Sequence, residues 1–156
     1  MVLESAQAGL SWITILKKRE GYRNAFHNFD VNKVAQMTPE ECEELMNFDG
    51  IIKNRLKIKC TINNAKQFIA IQKEFGSFYE YTLSFFPKQQ PIINHFKLLS
   101  QIPATSPESD AMSKDMKKRG FKFFGSTICY AFLQAAGFVN DHLEGCFCKA
   151  DQINHA

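Results

Sequence analysis

The stretch Lys117-Lys118-Arg119-Gly120-Phe121-Lys122-Phe123-Phe124-Gly125-Ser126-Thr127 decides how this chain is read. Before it, a helix opening at Ser109 or Asp110 runs to Lys118, with Lys117, Lys118 and Arg119 in its last turn, where cations suit the dipole. Gly120 ends that helix, and Gly125-Ser126-Thr127 opens a second that reaches Ala136 and closes at Gly137. A short glycine-bounded turn of this kind aims free backbone N–H groups at the start of the second helix, where a phosphate oxygen binds well. Lys117, Lys118 and Lys122 add charge that grips a nucleic-acid backbone without reading its sequence. The same residues also describe an ordinary αα-hairpin with a solvated basic corner. The local sequence leaves both readings open.

Outward from the turn, helical spacing continues. Trp12, Ile15, Leu16, Tyr22 and Phe26 recur on one side and Lys17 to Glu20 on the other, with Gly21 expected to weaken or split that helix. Thr38-Pro39-Glu40-Glu41 is a helix start, with a threonine cap, proline in the first turn and glutamate three residues after the cap. That helix runs to about Phe48 and stops at Asp49-Gly50. A longer one carries Ile58, Ile62, Ala65, Phe68, Ile69 and Gln72 along one side and ends at Gly76. Ser77 caps another through Tyr81 to Phe85, closed by Pro87. Lys88 to Pro107 reads as a connecting loop with one turn in it. Period-2 alternation is nowhere sustained, and there is no internal repeat or low-complexity tract. The chain reads as all-α.

The 156 residues (17.9 kDa) amount to one domain with a single core, spanning 1–156. A hydrophobic share of 45% beside 22% charged residues argues against wholesale disorder. No apolar run approaches the roughly 20 residues that cross a bilayer, so a membrane span is excluded. Met1-Val2-Leu3-Glu4 lacks the basic-then-apolar layout of a secretory signal, which makes an intracellular, cytoplasmic location the default. A net charge of +3 permits a polyanionic partner without demanding one. The 5 cysteines are odd in number and irregularly spaced, so they do not form a disulfide framework; Cys42, Cys60 and Cys129 read as buried small residues.

Two further segments carry candidate chemistry. In Leu3-Glu4-Ser5-Ala6-Gln7-Ala8-Gly9-Leu10-Ser11-Trp12, a carboxylate precedes a small-residue loop and a tryptophan follows. Glu4 could accept hydrogen bonds from a ligand and Trp12 could offer a stacking face. Taken alone, the segment fits better with Glu4 at a surface position on a frayed terminus and Trp12 in the core. In Asp141-His142-Leu143-Glu144-Gly145-Cys146-Phe147-Cys148, His142 and Cys146 are spaced to reach one metal ion, but a structural zinc site takes four ligands. Cys148 and His155 are the available additions, though C-x-C is not the usual knuckle spacing; a free thiol pair in a tail is the alternative. His27 and His95 have no obvious partners in the sequence and read as structural or surface residues.

Together these segments resemble the DNA-3-methyladenine glycosylase I family, monofunctional repair enzymes of the helix-hairpin-helix superfamily, over nearly the whole chain. The residues that carry the likeness are Gln7 to Trp12, Leu16 to Glu20, Gly50 to Arg55, Lys117 to Phe123 and Gly137 to His142. The resemblance implies a helix-hairpin-helix glycosylase fold, with Gly120 to Thr127, including Gly125 and Ser126, as a divergent DNA-gripping hairpin beside Lys117, Lys118 and Lys122. Thr127 falls where bifunctional relatives carry a Schiff-base lysine, so lyase activity is not expected. Asn140 falls where many relatives carry a catalytic aspartate, with Asp141 beside it. By resemblance Glu4 is the catalytic pocket carboxylate that bonds the base edge, and Trp12 is a wall of the base pocket. Gln7, Gly9 and Leu10 belong to a loop that fills the gap left in the duplex.

Family members carry roughly thirty further residues before the position matching Leu3. That segment supplies pocket aromatics, including a tyrosine that contacts the base. It also holds a cysteine and a histidine that bind zinc with the equivalents of His142 and Cys146. The resemblance therefore implies zinc as the family's metal, with two of its four ligands in this chain. Relative to the family, the glycosylase domain reads as N-terminally incomplete. The expected activity is hydrolysis of the N-glycosidic bond of 3-methyladenine in alkylated double-stranded DNA by a monomer. The alternative is a glycosylase-like DNA-binding module with impaired catalysis. An iron–sulfur endonuclease is disfavoured, because Cys146 and Cys148 do not supply the four cysteines of such a cluster.

Overall fold

In a computed structural model, which describes residues 1–151, ten α-helices dominate the described chain. The N-terminal half holds α1 (Val2–Ala6), α2 (Trp12–Lys17), α3 (Arg19–Ala25), α4 (Val31–Gln36) and α5 (Pro39–Glu44). The long α6 (Arg55–Phe75) crosses to the other half, which holds α7 (Phe78–Leu83), α8 (Pro107–Lys118), α9 (Ser126–Ala135) and the short α10 (Cys148–Asp151). None of the described helices is long and apolar enough to cross a membrane.

The capping chemistry places most boundaries. Thr38 and Glu41 form a reciprocal capping box at α5. Ser77 caps α7 by accepting from the Glu80 N–H at 3.0 Å. Gly76 and Gly137, at φ +82° and +78°, close α6 and α9 in a conformation that favours glycine. Among the boundaries that differ from expectation, two have a packing or capping reason. The break after Trp12 falls at Lys18 instead of Gly21, because Gly21 is used for close packing: a Cβ there would stand 1.9 Å from the Gly50 carbonyl oxygen. Likewise α8 opens at Pro107, capped by Ser106, because Ser106 and Ser109 exchange side-chain to backbone bonds. The expected 88–107 loop also contains a strand. Ile92–Ile93 (β1) pairs in parallel with Val139–Asn140 (β2), Ile92 opposite Val139, a pairing too short to show periodicity.

Buried side chains form two clusters on either side of α6. Ile58, Ile62 and Ala65 face an N-terminal core with Ile15, Tyr22, Phe26 and Val34. Ile71 faces a C-terminal core of Phe78, Tyr81, Met112, Met116, Leu133 and their neighbours. The expectation of a single core is thus replaced by two that share one helix. Many of the 15 phenylalanines are absorbed in the second, where rings meet edge-on or stacked, as in Phe68 against Phe78 at 4.2 Å. Cys42, Cys60 and Cys129 are buried free thiols, as expected, and burial pushes Cys129 up to about 12.

Candidate active site

A cavity of about 430 Å³ lies between the two cores, within the range of small-molecule sites. One face of α6 forms its floor through Lys57, Thr61, Asn64 and Phe68, spaced by three or four residues along the helix. Tyr22 and Phe26 enter from α3, Phe123 from the α8–α9 turn and Phe132 from α9. The remaining side is α1, which carries Glu4, the one carboxylate among the lining residues, into a mostly apolar enclosure. The Glu4 side chain is only 12% exposed, and its Oε2 stands 2.5 Å from the Met1 terminal nitrogen. That contact is an ion pair, and a carboxylate oxygen so paired still has a second lone pair to offer inside the cavity. Glu4 is thus not on a frayed end, since α1 packs onto the N-terminal core through Val2, Leu3 and Ala6.

Trp12 stands elsewhere. It opens α2 at 39% exposure and does not line the cavity, because Ile15 supplies the buried side of that six-residue helix. Between Glu4 and Trp12, Gln7 to Leu10 form a tight turn in which the Leu10 N–H donates to the Gln7 carbonyl at 2.7 Å. Gly9 sits in it at φ +78°, and Leu10 is exposed.

The α8–α9 turn forms the second candidate surface. Gly120 adopts φ +95° and Phe123 φ +52°, and Lys117, Lys118 and Lys122 all point to solvent. The turn is held from outside itself: Asn64 accepts from the Lys122 N–H at 2.9 Å and donates to the Lys122 carbonyl at 2.8 Å, while Asn63 donates to the Gly120 carbonyl. Gly125 caps α9 without a side chain, which leaves the first-turn N–H groups, including those of Ser126 and Thr127, for an external acceptor. The Ser126 hydroxyl is occupied, bonding Asp110 and lying 2.9 Å from the Ser109 hydroxyl. Thr127 is exposed and offers no amine.

Arg119 does not join this basic surface. It bridges Asp115 at 2.6 Å and Glu74 at 2.6 Å and lies over the Phe75 and Tyr81 rings. Burial pushes the Asp115 carboxyl up, but bonds from Arg119 and Tyr81 outweigh it and hold the group below the usual carboxylate range.

Asn140 and Asp141 are buried away from the cavity. Asp141 accepts from Tyr130 at 2.6 Å, Gln134 at 2.7 Å and Asn94 at 2.8 Å, which makes it a tie between α9 and the strand pair. Nearby, His142 Nδ1 stands 3.5 Å from Cys146 Sγ, and the ligating atoms of His142, Cys146 and Cys148 lie within 4.8 Å of one another. Zinc bonds of about 2.0 Å to nitrogen and 2.3 Å to sulfur put tetrahedral ligands roughly 3.5 Å apart, so the His142–Cys146 pair fits that ion. His155 lies outside the described residues.

Comparison with known proteins identifies the family. The methyladenine glycosylase family model matches residues 1–149. The chain therefore belongs to the methyladenine glycosylase family. It is 51% identical over 146 residues to DNA-3-methyladenine glycosylase 1 of Escherichia coli (strain K12), covering 94% of this chain and 78% of the relative. Among solved structures it is similar to a crystal structure of 3-methyladenine DNA glycosylase I, with 51% identity and a TM-score of 0.89 over 94% of this chain and 80% of that one. It is also similar to a variant of a 3-methyladenine DNA glycosylase I solved in complex with 3-methyladenine, with 38% identity and a TM-score of 0.91 over 95% and 79% of the two chains.

The glycosylase's cavity contains residues that the sequence did not single out for the site. Tyr22 and Phe26 read only as helix-face residues, and Phe132 as part of α9. Asn63 and Asn64 did leave a trace. Two adjacent asparagines inside a 21-residue helix are poor helix formers whose side chains favour other backbone partners, here the turn.

Proposed function

We propose that this chain is a monofunctional DNA-3-methyladenine glycosylase. It binds alkylated double-stranded DNA as a monomer, extrudes the modified nucleotide and hydrolyses its N-glycosidic bond, leaving an abasic site. The observation that carries this is an apolar cavity with a single inward carboxylate, Glu4, in a chain of this family. Methylation at N3 makes the adenine cationic, so the bond to C1′ is already weak. It breaks with its electron pair going to the base, which leaves neutral, while water adds to C1′ and loses a proton to solvent. The protein need only select and hold the base. Glu4 attracts the cation and accepts its hydrogen bonds, and the apolar walls strengthen that attraction by excluding water. With Thr127 where an amine would be needed, no Schiff base forms at that position and the DNA strand is not cleaved.

The hairpin supports the duplex through the α9 N-terminus, the Gly120 and Gly125 backbone, and Lys117, Lys118 and Lys122, in the helix-hairpin-helix manner. The Gln7 to Leu10 turn enters the gap left by the extruded base. Two cores sharing α6 support treating the chain as one domain, and a DNA substrate supports an intracellular, cytoplasmic site of action. Zinc would be held by His142 and Cys146, with Cys148 close enough to join them, and would fasten the C-terminal segment without entering the chemistry. Elemental analysis with chelator melts tests this; a metal-free chain with unchanged melting would remove zinc from the account.

The activity is tested by incubating duplex carrying radiolabelled methylated bases with the chain and identifying the released base by chromatography. Release of 3-methyladenine without strand cleavage is expected. DNA binding with no base released would favour the module with impaired catalysis, against which stands the retention of Glu4 in the cavity.

A further inference from the structure

Lys57 occupies a position that helix stability does not explain. It lies in the first turn of α6, at the positive end of the helix dipole, with Arg55 and Lys59 close by. Burial pushes its ammonium below the usual lysine range, and no carboxylate among the described residues pairs with it. Instead Nζ donates to two backbone carbonyls, Ala6 at 2.9 Å and Ala8 at 2.7 Å.

One of those carbonyls lies just before the Gln7–Leu10 turn and the other at its centre. The Leu10 N–H to Gln7 carbonyl bond and Gly9 at φ +78° make Gln7 to Leu10 a type II turn, with Gly9 at the third position. Types I and II differ chiefly by a flip of the central peptide, here Ala8–Gly9. The Ala8 carbonyl belongs to that peptide, so its bond to Lys57 selects one orientation. The Ala6 carbonyl is the last of α1, the helix that carries Glu4. One ammonium therefore fixes both the turn and the end of the Glu4 helix.

The same helix holds the other surface. Asn64, seven residues further along the same face of α6, clasps the backbone N–H and carbonyl of Lys122 in the hairpin turn. Two helical turns, about 10 Å, separate the two clamps. We infer that Lys57 is a positioning residue that locks the Gln7–Leu10 turn in its DNA-entering form and sets its spacing from the hairpin along α6. The inference rests on the glycosylase reading above.

The test compares affinity for a duplex containing a stable tetrahydrofuran abasic analogue with that for the same duplex undamaged. The unsubstituted chain should prefer the abasic duplex. Lys57→Met keeps the aliphatic stem and removes the donor; it should cut affinity for abasic duplex about tenfold while changing undamaged-duplex affinity less than about twofold. Lys57→Arg, with cation and donors retained, should restore part of the preference. Gly9→Ala reads the turn independently of the fold, since a Cβ there meets nothing within 4 Å yet is strained at φ +78°. It should reproduce the selective loss, and combined with Lys57→Met it should add little. An undiminished abasic preference in Lys57→Met, an equal loss on both duplexes, or fully additive losses would overturn the inference alone. No abasic preference in the unsubstituted chain would overturn the glycosylase reading with it.

Discussion

The two cores that share α6 differ in kind. Around α8 and α9, phenylalanine and tyrosine rings interlock, and Arg119 is clasped by Glu74 and Asp115 over two of them. Around α1 to α4, the buried residues are largely aliphatic or small, Ile15, Val34, Ala25 and Ile62 among them, with the stacked Tyr22–Phe26 pair at the cavity edge. Ring packing and a paired guanidinium make the first region a platform for the hairpin. The second leaves, between itself and that platform, the cavity proposed to take a base. The contrast separates residues that hold the fold from residues proposed to act on DNA, and variants can test the separation.

The largest effect should come from Arg119. Arg119→Met leaves Asp115 with Tyr81 alone and should cost about 2–3 kcal/mol, below the value for a fully buried pair because both partners keep some solvent exposure. Urea unfolding measures that cost. Duplex affinity of the folded fraction, and its salt dependence, should not change. A shallower salt dependence would move Arg119 from the platform to the DNA surface.

Glu4→Gln should act in the opposite sense. Excision of 3-methyladenine should fall by roughly tenfold to a hundredfold, the 1–3 kcal/mol of unpaired donors on the cationic base. Abasic-duplex affinity and melting temperature should stay near their starting values. Equal excision by the two proteins would remove Glu4 from the base pocket's chemistry.

Replacing Lys117, Lys118 and Lys122 with alanine should weaken binding to every duplex alike. The slope of log affinity against log salt should shrink by up to about three, one for each phosphate no longer neutralised by a lysine. Excision at saturating enzyme should change little. An unchanged slope would reduce the hairpin to an ordinary basic corner.

What the sequence disclosed divides along the same line. The hairpin was legible because its features are local: Gly120, Gly125 and the lysines lie within nine residues, and caps such as Thr38 and Ser77 are short-range chemistry. The clamps on that hairpin were not, since Asn63 and Asn64 reach it across 57 and 58 residues. Arg119 read as one more cation of the last turn because its Glu74 partner lies 45 residues away. The cavity is the least local feature, assembled from α1, α3, α6, α9 and the turn between α8 and α9. Glu4 stood out only through the family resemblance. Trp12 stood out the same way, and here it faces solvent.

The smallest expected effect concerns pH, and it asks whether the platform's ion pairs or its rings set the contrast. Hydrogen bonds from Arg119 hold Glu74 below the usual glutamate range, and Asp115 is also held low despite its burial. A carboxyl lowered on folding stabilises the fold above its unfolded value, near 4, and loses that contribution as pH falls through the folded value. Melting temperature should therefore hold between about pH 7 and 5 and decline below about 4. Tyr81 runs the other way: burial, then the Asp115 bond, raises it, so its contribution is intact below about 10 and lost as pH rises further. Arg119→Met should melt lower throughout yet decline less steeply in acid, since Asp115 and Glu74 would then titrate nearer their unfolded values. An acid decline of the same steepness in both proteins would assign it to other carboxylates. Ring packing alone would then distinguish the platform from the core beside the cavity.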